Sequence, residues 1–164
     1  FRPHAWPMTR RPPPIEQIHG TVVALGGRGV LFRGPPGSGK SDLALRLMDG
    51  GARLVADDRV DIHVRRGRVS ASPPAPLAGL IEARGVGVVR VPHRARADIR
   101  LVVDLARPEQ IDRMPDEETC LIAGVSLPHL KLAPAEASAP AKVRLALAHR
   151  AGRKRAPKQK KKKR

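Results

Sequence analysis

Eight residues constrain this chain more than any other feature: Gly34-Pro35-Pro36-Gly37-Ser38-Gly39-Lys40-Ser41 fills every fixed position of the pattern G-x-x-x-x-G-K-[ST]. The pattern works only between a strand and a helix, because loop N–H groups and a helix N-terminus must face one anion together. Both neighbours are predicted. Residues 21–25 and 30–33 are β-rich runs joined through Gly26, Gly27, Arg28 and Gly29, which reads as a hairpin. Residues 42–49 set Leu43, Ala44, Leu47 and Met48 on one helical face before Gly50 and Gly51 stop it. Such a loop cradles a polyphosphate, with Lys40 neutralising its β and γ phosphates and Ser41 offering a hydroxyl to Mg²⁺. Pro35 and Pro36 have no N–H, so the donors come mainly from residues 37–41. A glycine turn that binds nothing is the plainer alternative, and the agreement of loop, lysine and helix stands against it.

Residues 53–56 predict a short strand that runs into Asp57 and Asp58. The preceding helix makes a crossover, which returns this strand parallel to the one before the loop and puts both carboxylates near the γ-phosphate end. Leu54-Val55-Ala56-Asp57-Asp58 therefore resembles a Walker-B strand end, although an Asp-Asp pair standing alone is more often a turn opener. Beside a cation, one carboxylate could fix metal while the other accepts a hydroxyl proton. Further on, residues 60–64 and Val69 predict a second hairpin about Arg66 and Gly67. Pro73, Pro74 and Pro76 interrupt the pattern, residues 88–91 and 99–105 read as strands, residues 108–113 as a short helix, and residues 139–149 as a closing helix with Val143, Ala146 and Leu147 inward.

Charge qualifies these readings. The chain of 164 residues carries +17, but ten basic residues fall between Arg150 and Arg164 and three more are Arg2, Arg10 and Arg11, so the middle is only mildly basic. A nucleic-acid partner would be held by the basic tail alone, non-specifically and in a salt-dependent manner. With no Tyr, two Phe and one Trp, the chain lacks aromatic platforms for stacking bases. One cysteine, Cys120, excludes an internal disulfide framework and fits a cytoplasmic location. No apolar run is long enough for a membrane span. Residues 1–14, with five prolines, are expected to be disordered, residues 15–149 to form one catalytic domain, and residues 150–164 to be a disordered basic tail; Met8 is a candidate start.

Ile18-His19-Gly20, the run GPPGSGKSDLAL, the run GARLVADDRV and Leu80-Ile81-Glu82-Ala83-Arg84-Gly85-Val86-Gly87-Val88-Val89 together resemble the C-terminal catalytic domain of HPr kinase/phosphorylase, in its short single-domain form. The resemblance is collinear over residues 19–113. It implies an α/β fold, a P-loop kinase fold of the phosphoenolpyruvate carboxykinase-like type with a mixed sheet and few helices. It implies ATP-dependent phosphorylation of a serine on HPr or an HPr-like phosphocarrier, reversal by inorganic phosphate, ATP and Mg²⁺ at the site, and a homo-oligomer. Carried over by residue, it gives the nucleotide to Gly34, Pro35, Pro36, Gly37, Ser38, Gly39, Lys40 and Ser41. Mg²⁺ falls to Ser41 and Glu82 with Asp57 in close support, and the base for phosphorylation, which is also the acid for reversal, is Asp58. His19 and Arg113 complete the catalytic set, although by residue type alone His19 reads equally as a surface histidine. The chain departs from the family at Pro92-His93-Arg94-Ala95-Arg96 and at residues 127–142. A generic P-loop small-molecule kinase or nucleotidase is the alternative, distinguished by its acceptor.

Overall fold

A computed structural model of the chain describes residues 13–151. Eleven strands and two α-helices carry the described fold. In chain order they are β1 (Glu16–His19), β2 (Thr21–Leu25), β3 (Arg28–Arg33), α1 (Lys40–Asp49), β4 (Arg53–Ala56), β5 (Arg59–Arg65), β6 (Arg68–Ser72), β7 (Leu80–Ala83), β8 (Gly87–Arg90), β9 (Ala97–Leu105), β10 (Glu118–Ile122), β11 (Val125–Leu132) and α2 (Ala139–Ala146).

The expected hairpins form where glycine permits them. Gly26 (φ 57°) and Gly27 (φ 82°) join β2 to β3, and Arg66 (φ 54°) with Gly67 (φ 74°) joins β5 to β6. Two consecutive left-handed residues give a turn whose twist matches the strands it links. The large sheet runs β1-β5-β6-β9-β3-β2-β4, and β11 joins β9 and carries β10 outside it. β3 lies parallel to β9, and most other pairings are antiparallel, so the sheet is mixed. The strand after α1 does point the same way as β3, as expected, but its partner is β2, which separates the two.

The β1-β5-β6 arm curls over β2 and β4, with which it shares no ladder. Inside the curl lie Val22, Leu31, Val55, Val60, Ile62, Val69 and Val102. The opposite face presents Val23, Val30, Phe32, Leu54, Leu101 and Val103 to Leu43 and Leu47 of α1 and Val143 of α2. Strand periodicity sends alternate residues of β3 to the two cores, and both are fully buried.

One expectation needs adjustment, and the strands β7 and β11 were not anticipated. Residues 108–113 contain only a 3₁₀ turn, Pro108–Gln110. The strand expected over residues 88–91 is β8, and it pairs in a separate hairpin with β7, which the sequence pattern did not show. Residues 125–132 form a central strand despite Pro128, because the parallel ladder to β9 begins only at His129. The closing helix is as expected, with Val143 and Leu147 buried, and its last turn loosens into a π-turn, Leu147–Ala151. Arg150 in that turn donates to the carbonyls of His129 (2.9 Å) and Glu118 (2.8 Å). The expected disordered segments lie outside the described residues, apart from residues 13 and 14 at one end and residues 150 and 151 at the other.

Candidate active site

β3 ends at Arg33 and the chain enters the loop at Gly34, where a Cβ would stand 2.5 Å from Ser38 Oγ. Gly37 (φ 78°) and Gly39 (φ 101°) hold left-handed conformations that bend the backbone round to the start of α1. No side chain caps that start, so its first N–H groups are available to an anion. Lys40 Nζ donates to the carbonyls of Gly34 (2.7 Å) and Pro35 (3.1 Å), so the lysine folds across its own loop. Ser38 Oγ is buried and has no hydrogen-bond partner among the described residues, which leaves a donor and acceptor for a polar ligand in the loop itself.

β4 delivers the acidic pair, and the two aspartates occupy different environments. Asp57 is buried, at 8 % exposure. Its Oδ1 accepts the Ser41 hydroxyl at 2.7 Å and the Thr21 hydroxyl at 2.9 Å, and its Oδ2 accepts the Glu82 N–H at 3.1 Å. One carboxylate thus ties α1, β2 and β7 together. Asp58 is exposed and stands at φ 70°, at the centre of a three-residue turn closed by the Arg59 N–H on the Asp57 carbonyl (2.8 Å). Positive φ is uncommon outside glycine, although Asp and Asn adopt it more readily than other residues, and a backbone of this kind is characteristic of working sites. The Gly20 N–H braces it by donating to the Asp58 carbonyl at 3.1 Å.

These elements enclose a cavity of about 640 Å³. Pro36, Gly37, Ser38, Gly39, Lys40 and Ser41 form one wall, and Asp57, Asp58, Glu82 and Arg84 face them. The residues expected to bind nucleotide and metal are therefore together, with Gly34 and Pro35 beneath the lysine. His19 and Arg113 do not line the cavity. His19 pairs with Arg59 across β1 and β5, next to the Gly20 brace, and Arg113 sits in the exposed stretch between β9 and β10. Thr21, Leu45, Pro134 and Ala135 also line it and were not anticipated. Only Thr21 left a trace in the sequence, as a hydroxyl at the head of an otherwise apolar strand.

Hydroxyl and carboxylate oxygens are the donor set that Mg²⁺ prefers. Among the described residues no group of three or more His, Cys, Asp or Glu could hold a metal alone. Such a sparse set fits an ion that takes its remaining ligands from phosphates and water.

A second polar cluster forms at the end of β3, next to the loop in sequence. Arg33 makes a bidentate pair with Asp104 (2.8 and 3.0 Å), and His129 Nε2 lies 2.6 Å from the same carboxylate. Burial pushes the Asp104 carboxyl up, but hydrogen bonds from Arg33 and His129 outweigh it and hold the group below the ordinary carboxylate range. The same hydrogen bond raises Arg33, while burial pushes the nearby Cys120 thiol up.

Known proteins resemble this chain in sequence and in fold. A family model described as HPr Serine kinase C-terminal domain matches residues 13–156. The HPr kinase/phosphorylase of Enterococcus faecalis is 36 % identical over 127 residues, 70 % of this chain and 41 % of that protein. That of Lactobacillus acidophilus is 36 % identical over 129 residues, 71 % of this chain and 40 % of the relative. This chain thus spans about two-fifths of the length of these curated relatives. The solved structure of the Hpr(Ser) kinase/phosphatase from Coxiella burnetii superposes with a TM-score of 0.73 at 24 % identity, covering 81 % of this chain and 94 % of that one, and shares its fold. No described helix is long and apolar enough to cross a membrane. With its sequence matched almost end to end over the described region, and its loop and acidic pair converging on one cavity, the chain belongs to the HPr serine kinase C-terminal domain family.

Proposed function

We propose that this chain transfers the γ-phosphoryl group of ATP to a serine hydroxyl of HPr or an HPr-like phosphocarrier, and that the same cavity runs the reverse phosphorolysis. The observation that carries the reading is the 2.7 Å bond from Ser41 to Asp57, which fastens the phosphate loop to the acidic pair. The bond sets the hydroxyl that would meet the metal beside the carboxylates that would act on the acceptor.

In this reading the N–H groups of the loop and α1 receive the phosphates, and Lys40 turns from its loop carbonyls to neutralise them. Ser41 and Glu82 hold Mg²⁺, which when bound offsets charge on the transferring group. Asp57, its oxygens engaged by three donors, acts on the metal by orienting Ser41. Asp58 accepts the serine proton as the serine oxygen bonds to the γ-phosphorus and the bond to ADP breaks. In reverse, inorganic phosphate attacks the phosphoserine, Asp58 returns the proton to the leaving serine, and pyrophosphate forms. Positioning and charge neutralisation supply most of the rate, since phosphoryl transfer asks little covalent work of a protein. His19 steadies Asp58 through the β1-β5 corner, and Arg113 meets the transferred phosphoryl once the carrier is bound. The fold is read as the phosphoenolpyruvate carboxykinase-like type of P-loop kinase, assembled as a homo-oligomer.

The test is incubation with ATP, Mg²⁺ and a panel of purified HPr-like carriers, followed by detection of phosphoserine. Transfer to a carrier serine is expected. Transfer to small molecules alone, or hydrolysis without an acceptor, would replace this reading with a generic small-molecule kinase or nucleotidase.

A further inference from the structure

We propose that Thr21 is a positioning residue for the metal at this site, acting through Asp57. The inference rests on the nucleotide-binding reading above and adds to it a residue that touches neither phosphate nor metal. Thr21 is fully buried at the head of β2, and its hydroxyl donates to Asp57 Oδ1 at 2.9 Å. Ser41 donates to the same oxygen at 2.7 Å. With the Glu82 N–H on Oδ2, the carboxylate has a donor on each oxygen and a second on Oδ1, so its plane cannot rotate without breaking a bond.

The consequence falls on Ser41. Its hydrogen is committed to Asp57, which leaves the lone pairs of Oγ for a cation. Remove the Thr21 hydroxyl and Asp57 keeps one donor on each oxygen, so Oδ1 is held by Ser41 alone and the carboxylate no longer fixes the direction in which Ser41 presents its oxygen independently of Ser41 itself. Gly20 makes the placement stiff. A Cβ there would lie 2.8 Å from Leu31 Cδ1 and 2.9 Å from the Phe32 carbonyl oxygen, so the chain passes too close to β3 for Thr21 to drift. The corner thus holds both aspartates, Asp58 by the Gly20 N–H and Asp57 by the Thr21 hydroxyl.

The test compares ATP binding by calorimetry with saturating Mg²⁺ and with chelator, in the parent chain, Thr21→Val and Thr21→Ser. Val keeps the shape and deletes the donor; Ser keeps the donor. Thr21→Val is expected to weaken magnesium-ATP binding about tenfold, the scale of one hydrogen bond to a charged acceptor. Metal-free ATP binding stays within about twofold, because loop and lysine are untouched, and Thr21→Ser restores the parent affinity. If Thr21→Val does not fold, Thr21→Ala is compared with Thr21→Ser, a pair that differs only in the hydroxyl. A donor-less variant with the parent's metal dependence, or one that loses both forms of ATP binding equally, overturns the role of Thr21 alone. A parent chain that binds no magnesium-ATP overturns the nucleotide reading and this inference with it.

Discussion

At the scale of single residues, the site separates its two aspartates by burial and backbone. Asp57 is a structural anchor with three donors, and Asp58 is an exposed carboxylate on a turn with positive φ. That backbone makes a prediction about variants. Asn and Gly tolerate φ 70°, so Asp58→Asn and Asp58→Gly should leave unfolding free energy within about 1 kcal/mol of the parent while abolishing transfer. A β-branched Asp58→Val should cost about 2 kcal/mol as well as activity, measurable by urea unfolding. The hydrogen bonds of Lys40 among the described residues go to loop carbonyls, so Lys40→Ala should lower nucleotide-dependent phosphorylation by about a hundredfold or more, with little change in thermal midpoint. The glycine and lysine spacing of the loop was legible because each fixed residue has a local reason to be there. The Thr21 buttress was not, since a threonine in a strand looks like an ordinary β-former and its partner lies 36 residues away.

At the scale of elements, the strand-loop-helix unit and both hairpins were readable because apolar periodicity and turn glycines agree over short stretches. β7 and β11 were not, whereas β8 was expected over residues 88–91. Gly79, Gly85 and Gly87 mask the alternation of β7, and Pro128 argues against β11 unless one knows that its ladder to β9 starts one residue later. The β1-β2 corner yields a sharp expectation. Gly20→Ala should destabilise the fold by about 1–3 kcal/mol through overpacking against β3, and should weaken magnesium-ATP binding more than metal-free binding by displacing Thr21. Circular dichroism melts and paired titrations would measure both effects.

At the scale of the whole molecule, the Arg33-Asp104-His129 cluster joins β3, β9 and β11. Its members are 71 and 25 residues apart, beyond the reach of any local pattern. Because the Asp104 carboxyl is held low in the folded chain, its stabilising effect is complete above the unfolded carboxylate value, about 3.9, and fades as pH falls through the lower folded value. Asp104→Asn should therefore cost about 1–2 kcal/mol at neutral pH, discounted for partial exposure, with the gap to the parent closing below about pH 4. A gap that persists unchanged into acid would mean that packing, not ionisation, is what the substitution removes.

Phosphoryl transfer at this site requires the cavity to hold a magnesium nucleotide. Calorimetric titration of magnesium-ATP into the parent chain and into Lys40→Ala tests that directly. Saturable one-site binding by the parent, lost in a variant that is still folded, is the predicted result; no binding by the parent, or equal binding by both, would contradict it.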